Sequence, residues 1–133
     1  GGEGFDFVAE GVEFGELTPY DVLGIARDAE ALSAYLADPL MQIGRITPAL
    51  AAATLAGIER VMRHADDVTL PLLLLHGLAD RVVPADGTIA LHALAGSRDK
   101  TLKTYPGAYH HLLLDDVREE ATRDILAWLA ARS

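Results

Sequence analysis

The segment Leu70–His76 reads LPLLLLH, an apolar run from Leu70 to Leu75 with Pro71 inside it. It is far too short to cross a bilayer. Odd and even positions are equally apolar, so neither face of a strand built from it suits water. That is the pattern of a central strand in a parallel sheet covered on both sides. At 133 residues the chain has room for one ordinary domain and no second sizeable one. Half of its residues are hydrophobic and 23% are charged, a globular composition. With 20 Asp and Glu against 11 Lys and Arg the net charge is −9. This argues against nucleic acid as a partner and against electrostatic docking on anionic lipid. No cysteine occurs, which excludes disulfides, thiolate metal sites and a cysteine nucleophile within these residues. The opening GGEGFDF has neither a basic n-region nor an apolar h-region. No secretory signal is therefore expected, and a soluble, cytoplasmic chain is the default expectation.

Residues 1–24 hold six acids, no Lys, Arg or His, six of the twelve glycines and all three phenylalanines. Neither helical nor strand periodicity survives so many glycines, and an irregular acidic lead-in is expected. Helix signals begin near Arg27. Asp28 to Ala37 reads as a short helix with Ala29, Leu32, Tyr35 and Leu36 on one side, ended by Asp38-Pro39. A longer helix follows, with Thr47 as N-cap, Pro48 at its first position, and Leu50, Leu55, Ile58 and Met62 as its apolar stripe. After LPLLLLH, Asp86 is expected to cap a helix through Ile89, Leu91 and Leu94 that stops at Gly96. Thr101–Tyr105 reads as a second short strand. Asp116 with Glu119 three residues later has the spacing of a capping box, opening a helix that buries Val117, Ala121, Ile125, Trp128 and Leu129. The order is helix, helix, then β-α-β-α.

A strand, crossover helix and parallel strand put ligand sites at the carboxyl ends of the strands. The loop Gly77-Leu78-Ala79-Asp80-Arg81-Val82-Val83-Pro84 and the loop Pro106-Gly107-Ala108-Tyr109-His110-His111 therefore leave on one edge of the sheet. An Asp that accepts a hydrogen bond from a histidine ring fixes its tautomer and stabilises the imidazolium. Asp80 and His110 have the residue types for that. Spacing alone leaves open the plainer alternative of a turn aspartate and a loop histidine. A metal site from His76, Asp80, His110 and His111 lacks tight ligand spacing such as H-E-x-x-H. His64 and His92 fall on helices, as solvent-facing or half-buried side chains. No G-x-G-x-x-G or G-x-x-x-x-G-K-[ST] nucleotide motif occurs.

The stretch LPLLLLHGLADRVVP, followed by DKTLKTYPGAYHHLL and a Trp-containing terminal helix, resembles the C-terminal part of monoacylglycerol lipase-like serine hydrolases of the α/β-hydrolase superfamily. ARDAEALSAYLADPLMQIGRIT is similar to the cap region of that family, and the resemblance runs from about Leu17 to the end. It implies an α/β fold: the C-terminal β-α-β-α portion of an α/β-hydrolase sheet preceded by helical cap segments. The implied division is an irregular acidic lead-in at 1–24, a helical cap or lid at 25–67, and part of the hydrolase core at 68–133. The resemblance makes Asp80 the triad acid and His110 the triad base, with His110 chosen over His111 by the PG.YH register. His111 stands where relatives usually carry Glu. Val82 and His111, beside the triad positions, are implied to line a substrate pocket. The implied activity is hydrolysis of monoacylglycerol or a similar single-chain carboxylic ester, with no metal or organic cofactor. The same machinery would suit a carboxylesterase or a lysophospholipase.

In that superfamily the triad runs Ser, acid, His, with the serine in a G-x-S-x-G turn. The serines here are Ser33, Ser97 and Ser133, and none lies in such a turn. The oxyanion-hole loop of the family is missing as well. The resemblance thus describes a fragment whose nucleophile lies elsewhere, and the isolated chain is expected to be inactive. The rival from another class is a non-catalytic module that binds a second chain. Only TLKTY is at hand to pair with LPLLLLH, which leaves one strand edge and much of both faces bare. Self-association, or pairing with a missing N-terminal half, is therefore expected. Any peripheral contact with lipid would come through apolar cap residues rather than charge.

Overall fold

A computed structural model describes residues 23–41 and 48–133. All but the last two residues of the expected acidic lead-in, and the expected cap Thr47, lie outside the described residues. Helix α1 (Ala29–Ala37) starts where Asp28 can cap it: its Oδ1 accepts the N–H groups of Glu30 and Ala31, both at 3.0 Å. Two otherwise unpaired donors are satisfied in this way. Leu32 is buried and Tyr35 and Leu36 are half-buried, whereas Ala29 is exposed. The helix ends at Asp38, ahead of Pro39. Helix α2 (Pro48–Arg63) forms as its periodicity requires. Its apolar stripe is nevertheless not covered among the described residues: Leu55 and Ile58 are 40% and 41% exposed, and only Met62 of the four is half-buried. A single 3-10 turn, Ala65–Asp67, leads on to the sheet.

Strand β1 (Leu72–Gly77) starts just past Pro71, which has no N–H for a ladder bond. Helix α3 (Asp86–Leu94) separates it from β2 (Lys100–Tyr105), and α4 (Arg118–Ala130) follows. The two strands are parallel, in a register running from Leu72 opposite Lys100 to Gly77 opposite Tyr105. Helix α3 packs against both strands and α4 against β1. Leu75 joins a cluster with Tyr105, Ala108, Leu112, Val117 and Ala121, on the α4 side. Its neighbour His76 bonds to Thr88 of α3 instead. Successive strand residues point to opposite faces, so the two helices cover opposite faces of the sheet. The doubly apolar pattern of LPLLLLH has its explanation in that sandwich.

Two expected caps are corrected. Asp86 is the first residue of α3 rather than its cap, and Ala85 takes the cap position without a side-chain bond. The acid still sits where the positive end of the helix dipole favours it. In α4 the cap position belongs to Val117, again without a side-chain bond, and Asp116 closes no capping box. Leu129, expected to be buried, is 51% exposed. The inner face of α4 rests on fully buried Ala121, with Val117, Ile125 and Trp128 half-buried.

The carboxyl ends of the strands are stitched together. Leu78 N–H donates to Tyr105 O and Ala79 N–H to Ala108 O, each at 3.0 Å. Pro106-Gly107 forms the centre of a turn in which Ala108 N–H donates to Tyr105 O at 3.2 Å and Gly107 has φ 74°. Proline followed by a positive-φ glycine is the type II pattern. A Cβ on Gly77 would overlap the carbonyl oxygens of Ala108 and Tyr109, so only glycine lets the two loops approach this closely. Gly77→Ala is expected to cost about 1–3 kcal/mol, the range for overfilling a packed site, read as a lower urea midpoint. An unchanged midpoint would show that the loops separate freely.

Candidate active site

The site is built where β1 and β2 end. Beyond Gly77 the chain turns, with Asp80 N–H donating to Gly77 O at 3.2 Å. The carboxylate of Asp80 then folds back on its own loop, Oδ1 accepting the N–H groups of Val82 at 2.8 Å and Val83 at 2.9 Å. Aspartate favours turns of this kind because its short side chain reaches the backbone two residues on. The other oxygen, Oδ2, lies 2.9 Å from His110 Nδ1. The Asp80 side chain is 3% exposed and that of His110 35%. A buried carboxylate that is fully hydrogen-bonded thus meets a ring that still reaches solvent. A carboxylate only accepts, so the pairing puts a proton on Nδ1 and leaves the lone pair on Nε2.

His110 is held through its backbone. Tyr109 N–H donates to Asp115 Oδ2 at 3.2 Å, His110 N–H to Gly24 O at 3.3 Å, and His111 N–H to Ile25 O at 2.7 Å. Asp115, with no exposed surface, also accepts from Arg27 N–H at 3.1 Å and from Arg27 Nε at 2.9 Å, and pairs with Arg27 Nη2. Burial alone would push the Asp115 carboxyl up. The Arg27 guanidinium and the N–H groups of Arg27 and Tyr109 outweigh it and hold the group below the usual carboxylate range. Arg118 adds a second tie, pairing with Asp28 at the start of α1. The Ala31 N–H and then Arg118 lower the pKa of Asp28.

The other singled-out residues fall as follows. Val82 is on the Asp80 loop and 38% exposed. The His111 ring lies 5.4 Å from that of Tyr35 and 5.8 Å, edge-on, from that of His110. Burial first, and the neighbouring His110 second, lower its pKa. His76 lies 3.2 Å from Asp80 Oδ2. His64 contacts Asp67. Among the described residues no group of three or more acids and histidines is arranged to hold a metal ion. Ser97 precedes β2 and bonds Asp99 O, so it lies at the opposite end of the strand, roughly 17 Å from the site at the rise of a strand residue. Ser133 bonds Ala130 O beyond α4, and Ser33 is exposed on α1. Arg27 and Asp115 carried no local signal, being 88 residues apart. His76 was visible only as a metal candidate.

Parallel strand ends that present an Asp and a His in contact, with helices on both faces, define part of an α/β-hydrolase fold. A family model described as serine aminopeptidase, S33 matches residues 13–117, and the chain belongs to that family. The monoacylglycerol lipase of Mycolicibacterium smegmatis is 32% identical over 111 residues, 84% of this chain and 40% of the relative. The human monoglyceride lipase is 35% identical over 119 residues, 88% of this chain and 39% of the relative. The crystal structure of Paleococcus ferrophilus monoacylglycerol lipase superposes with a TM-score of 0.78 at 33% identity, covering 84% of this chain and 44% of that one. The chain is thus similar to monoacylglycerol lipases and spans about two fifths of the length of the curated relatives it matches.

A carboxylate held below its ordinary range stabilises the fold above its unfolded-state pKa, roughly 3.9, and loses that contribution as pH falls through the folded-state value. Asp28 and Asp115 both act in this sense. Thermal stability should therefore decline between about pH 5 and about pH 3. Asp115→Asn should make that decline shallower and lower stability at neutral pH by about 2 kcal/mol. The loss is smaller than for a wholly buried pair because Arg27 is 31% exposed. A melting curve series against pH that is the same in both proteins would refute this role for Asp115.

Proposed function

We propose that this chain supplies the acid and the base of a serine hydrolase that cleaves a monoacylglycerol or a similar single-chain carboxylic ester. Asp80 is the acid, His110 the base, and the serine lies outside these 133 residues. The observation that carries the reading is the 2.9 Å contact between a buried Asp80 and Nδ1 of a half-open His110. In this mechanism His110 Nε2 takes the serine hydroxyl proton as oxygen attacks the ester carbonyl. Asp80 holds the ring in the needed tautomer and balances the imidazolium. His110 then passes the proton to the departing alcohol, which leaves an acyl-enzyme. The same nitrogen next deprotonates water, which attacks the acyl carbon. The bond to the serine oxygen breaks, His110 returns the proton to that oxygen, and the acid is freed. Oxyanion donors must also come from elsewhere in the protein, because the acid and base alone supply only part of the rate. Helices in 25–67 act as the cap, and lipid contact runs through the exposed Leu55, Ile58 and Val61 of α2. Val82 and His111 line the acyl pocket.

Two experiments test the reading. The 133-residue chain alone should show no mass change with a fluorophosphonate. An adduct would mean that Ser33, Ser97 or Ser133 is the nucleophile and would overturn the assignment. In the protein that joins these residues to a G-x-S-x-G segment, His110→Ala should lower ester turnover by about 10,000-fold or more. Turnover close to that of the parent would remove His110 as the base.

The edge of β1 and the side of α2 that are uncovered among the described residues call for a partner surface. The isolated chain is accordingly expected to elute above monomer size in gel filtration, and a clean monomer over a range of concentrations would contradict this.

A further inference from the structure

We infer that His76 is a positioning residue for the Asp80–His110 pair, holding the loop that carries the acid. The inference rests on the reading of that pair as the triad acid and base. His76 is the last residue but one of β1 and points to the α3 face, its side chain 11% exposed. Nε2 lies 2.9 Å from Val83 O and 3.2 Å from Asp80 Oδ2. Both are groups that only accept, so Nε2 carries the proton; it is donated to Val83 O, with Asp80 Oδ2 close beside it. Nδ1 is then free to accept the hydroxyl of Thr88, 2.8 Å away on α3. The ring is thus fixed at both nitrogens, by the crossover helix on one side and by the Asp80 loop on the other.

The consequence falls on Asp80. A carboxylate has about four acceptor positions, and here three take hydrogen bonds and a fourth donor stands close by. Oδ1 takes Val82 and Val83 N–H and Oδ2 takes His110 Nδ1, while His76 Nε2 lies 3.2 Å from Oδ2. Only one of these groups is the ring that Asp80 would orient in the reaction; the two N–H groups and His76 are the three that fix where Asp80 itself stands. His76 is the only side chain among the three, and by binding Val83 O it also closes the loop whose N–H groups grip Oδ1. Without it, the Val83 carbonyl would lose its donor and Oδ2 a close N–H neighbour, so the loop would no longer confine the carboxylate to the angle that meets His110. His76 needs no contact with substrate to act in this way.

The test uses the complete enzyme, with its serine, and compares His76→Phe, His76→Gln and Thr88→Val with the parent. His76→Phe keeps the ring volume and removes both polar atoms. It should lower kcat roughly 10- to 100-fold, the range for residues that orient a functional group from behind, with KM little changed. The far-downfield proton resonance of His110 Nδ1–H should weaken or broaden in parallel. His76→Gln, whose amide N–H can reach the same acceptors, should recover most of kcat. Should the Phe variant fail to fold, Thr88→Val still reports, since it frees His76 Nδ1 without changing shape and should cost several-fold in kcat. A parent-like kcat and an intact resonance in folded His76→Phe or Thr88→Val would overturn the inference. So would equal losses in the Phe and Gln variants with the resonance unchanged. His110→Ala run alongside separates the two readings. If it leaves turnover intact, the triad assignment itself fails. If it abolishes turnover while His76→Phe does not reduce it, only the role of His76 falls.

Discussion

A carboxylate shut away from water has to find its hydrogen bonds within the protein, and Asp115 finds them in Arg27, Tyr109 and Val117. One side chain thereby joins the segment ahead of α1, the loop that carries His110 and the start of α4. Remove the charge and the guanidinium of Arg27 has no buried partner, while the Tyr109 N–H loses its acceptor one residue before His110. The bonds from His110 N–H to Gly24 O and His111 N–H to Ile25 O lie in the same seam. The position of the histidine is therefore set by residues more than eighty places earlier in the chain, through backbone contacts that do not depend on the ring. Buried ion pairs are poor sources of net stability when set against apolar packing. What this one supplies is a defined path for the loop, because several donors converge on two oxygens in a single geometry.

The elements were largely legible. An apolar run of the right length marks β1, TLKTY reads as the second short strand, Pro71 and Pro39 mark boundaries, and Asp28 before Ala29 marks a capped helix start. The misplaced caps have a common cause. Asp86 and Asp116 are acids of the right type near helix starts, and an acid there satisfies the helix dipole whether or not its side chain turns back to the backbone. Sequence cannot separate these cases. The apolar stripe of α2 was legible as a helix face, but no surface among the described residues covers it. At the site, Asp80 and His110 could be read as an acid and a histidine on neighbouring strand ends, since a parallel β-α-β order dictates that much. The Arg27–Asp115 pair could not, because no local pattern connects residues so far apart. His76 was legible only as a metal candidate, since its partners Thr88 and Val83 carry no signal of their own.

The two faces of the short sheet do different work. On one, Leu75 packs with Tyr105, Ala108, Leu112, Val117 and Ala121, an apolar cluster that fixes α4. On the other, His76 meets α3 through a hydrogen bond. Apolar packing tolerates small sliding, whereas a hydrogen bond at 2.8 Å does not. The α3 face therefore constrains the end of β1 more tightly, and that is the end from which the Asp80 loop departs. Tyr105, at the matching end of β2, is tied down in a similar manner by its hydroxyl bond to Asp124 on α4. Burial, and then Asp124, drive its pKa well above the ordinary tyrosine range, so it stays protonated as a donor.

The strand register has a consequence of its own. Gly77 stands opposite Tyr105, so the two strands finish level and the two loops start from the same height. A slip of one residue would turn every side chain of β1 to the wrong face. A slip of two would keep the faces but displace Asp80 along the strand by roughly 6.6 Å relative to His110, beyond the reach of any hydrogen bond. The acid–histidine contact thus works as a gauge of the sheet: it can close in one alignment of the strands and in no neighbouring one. Selection for that contact would act as selection for correct strand pairing as well.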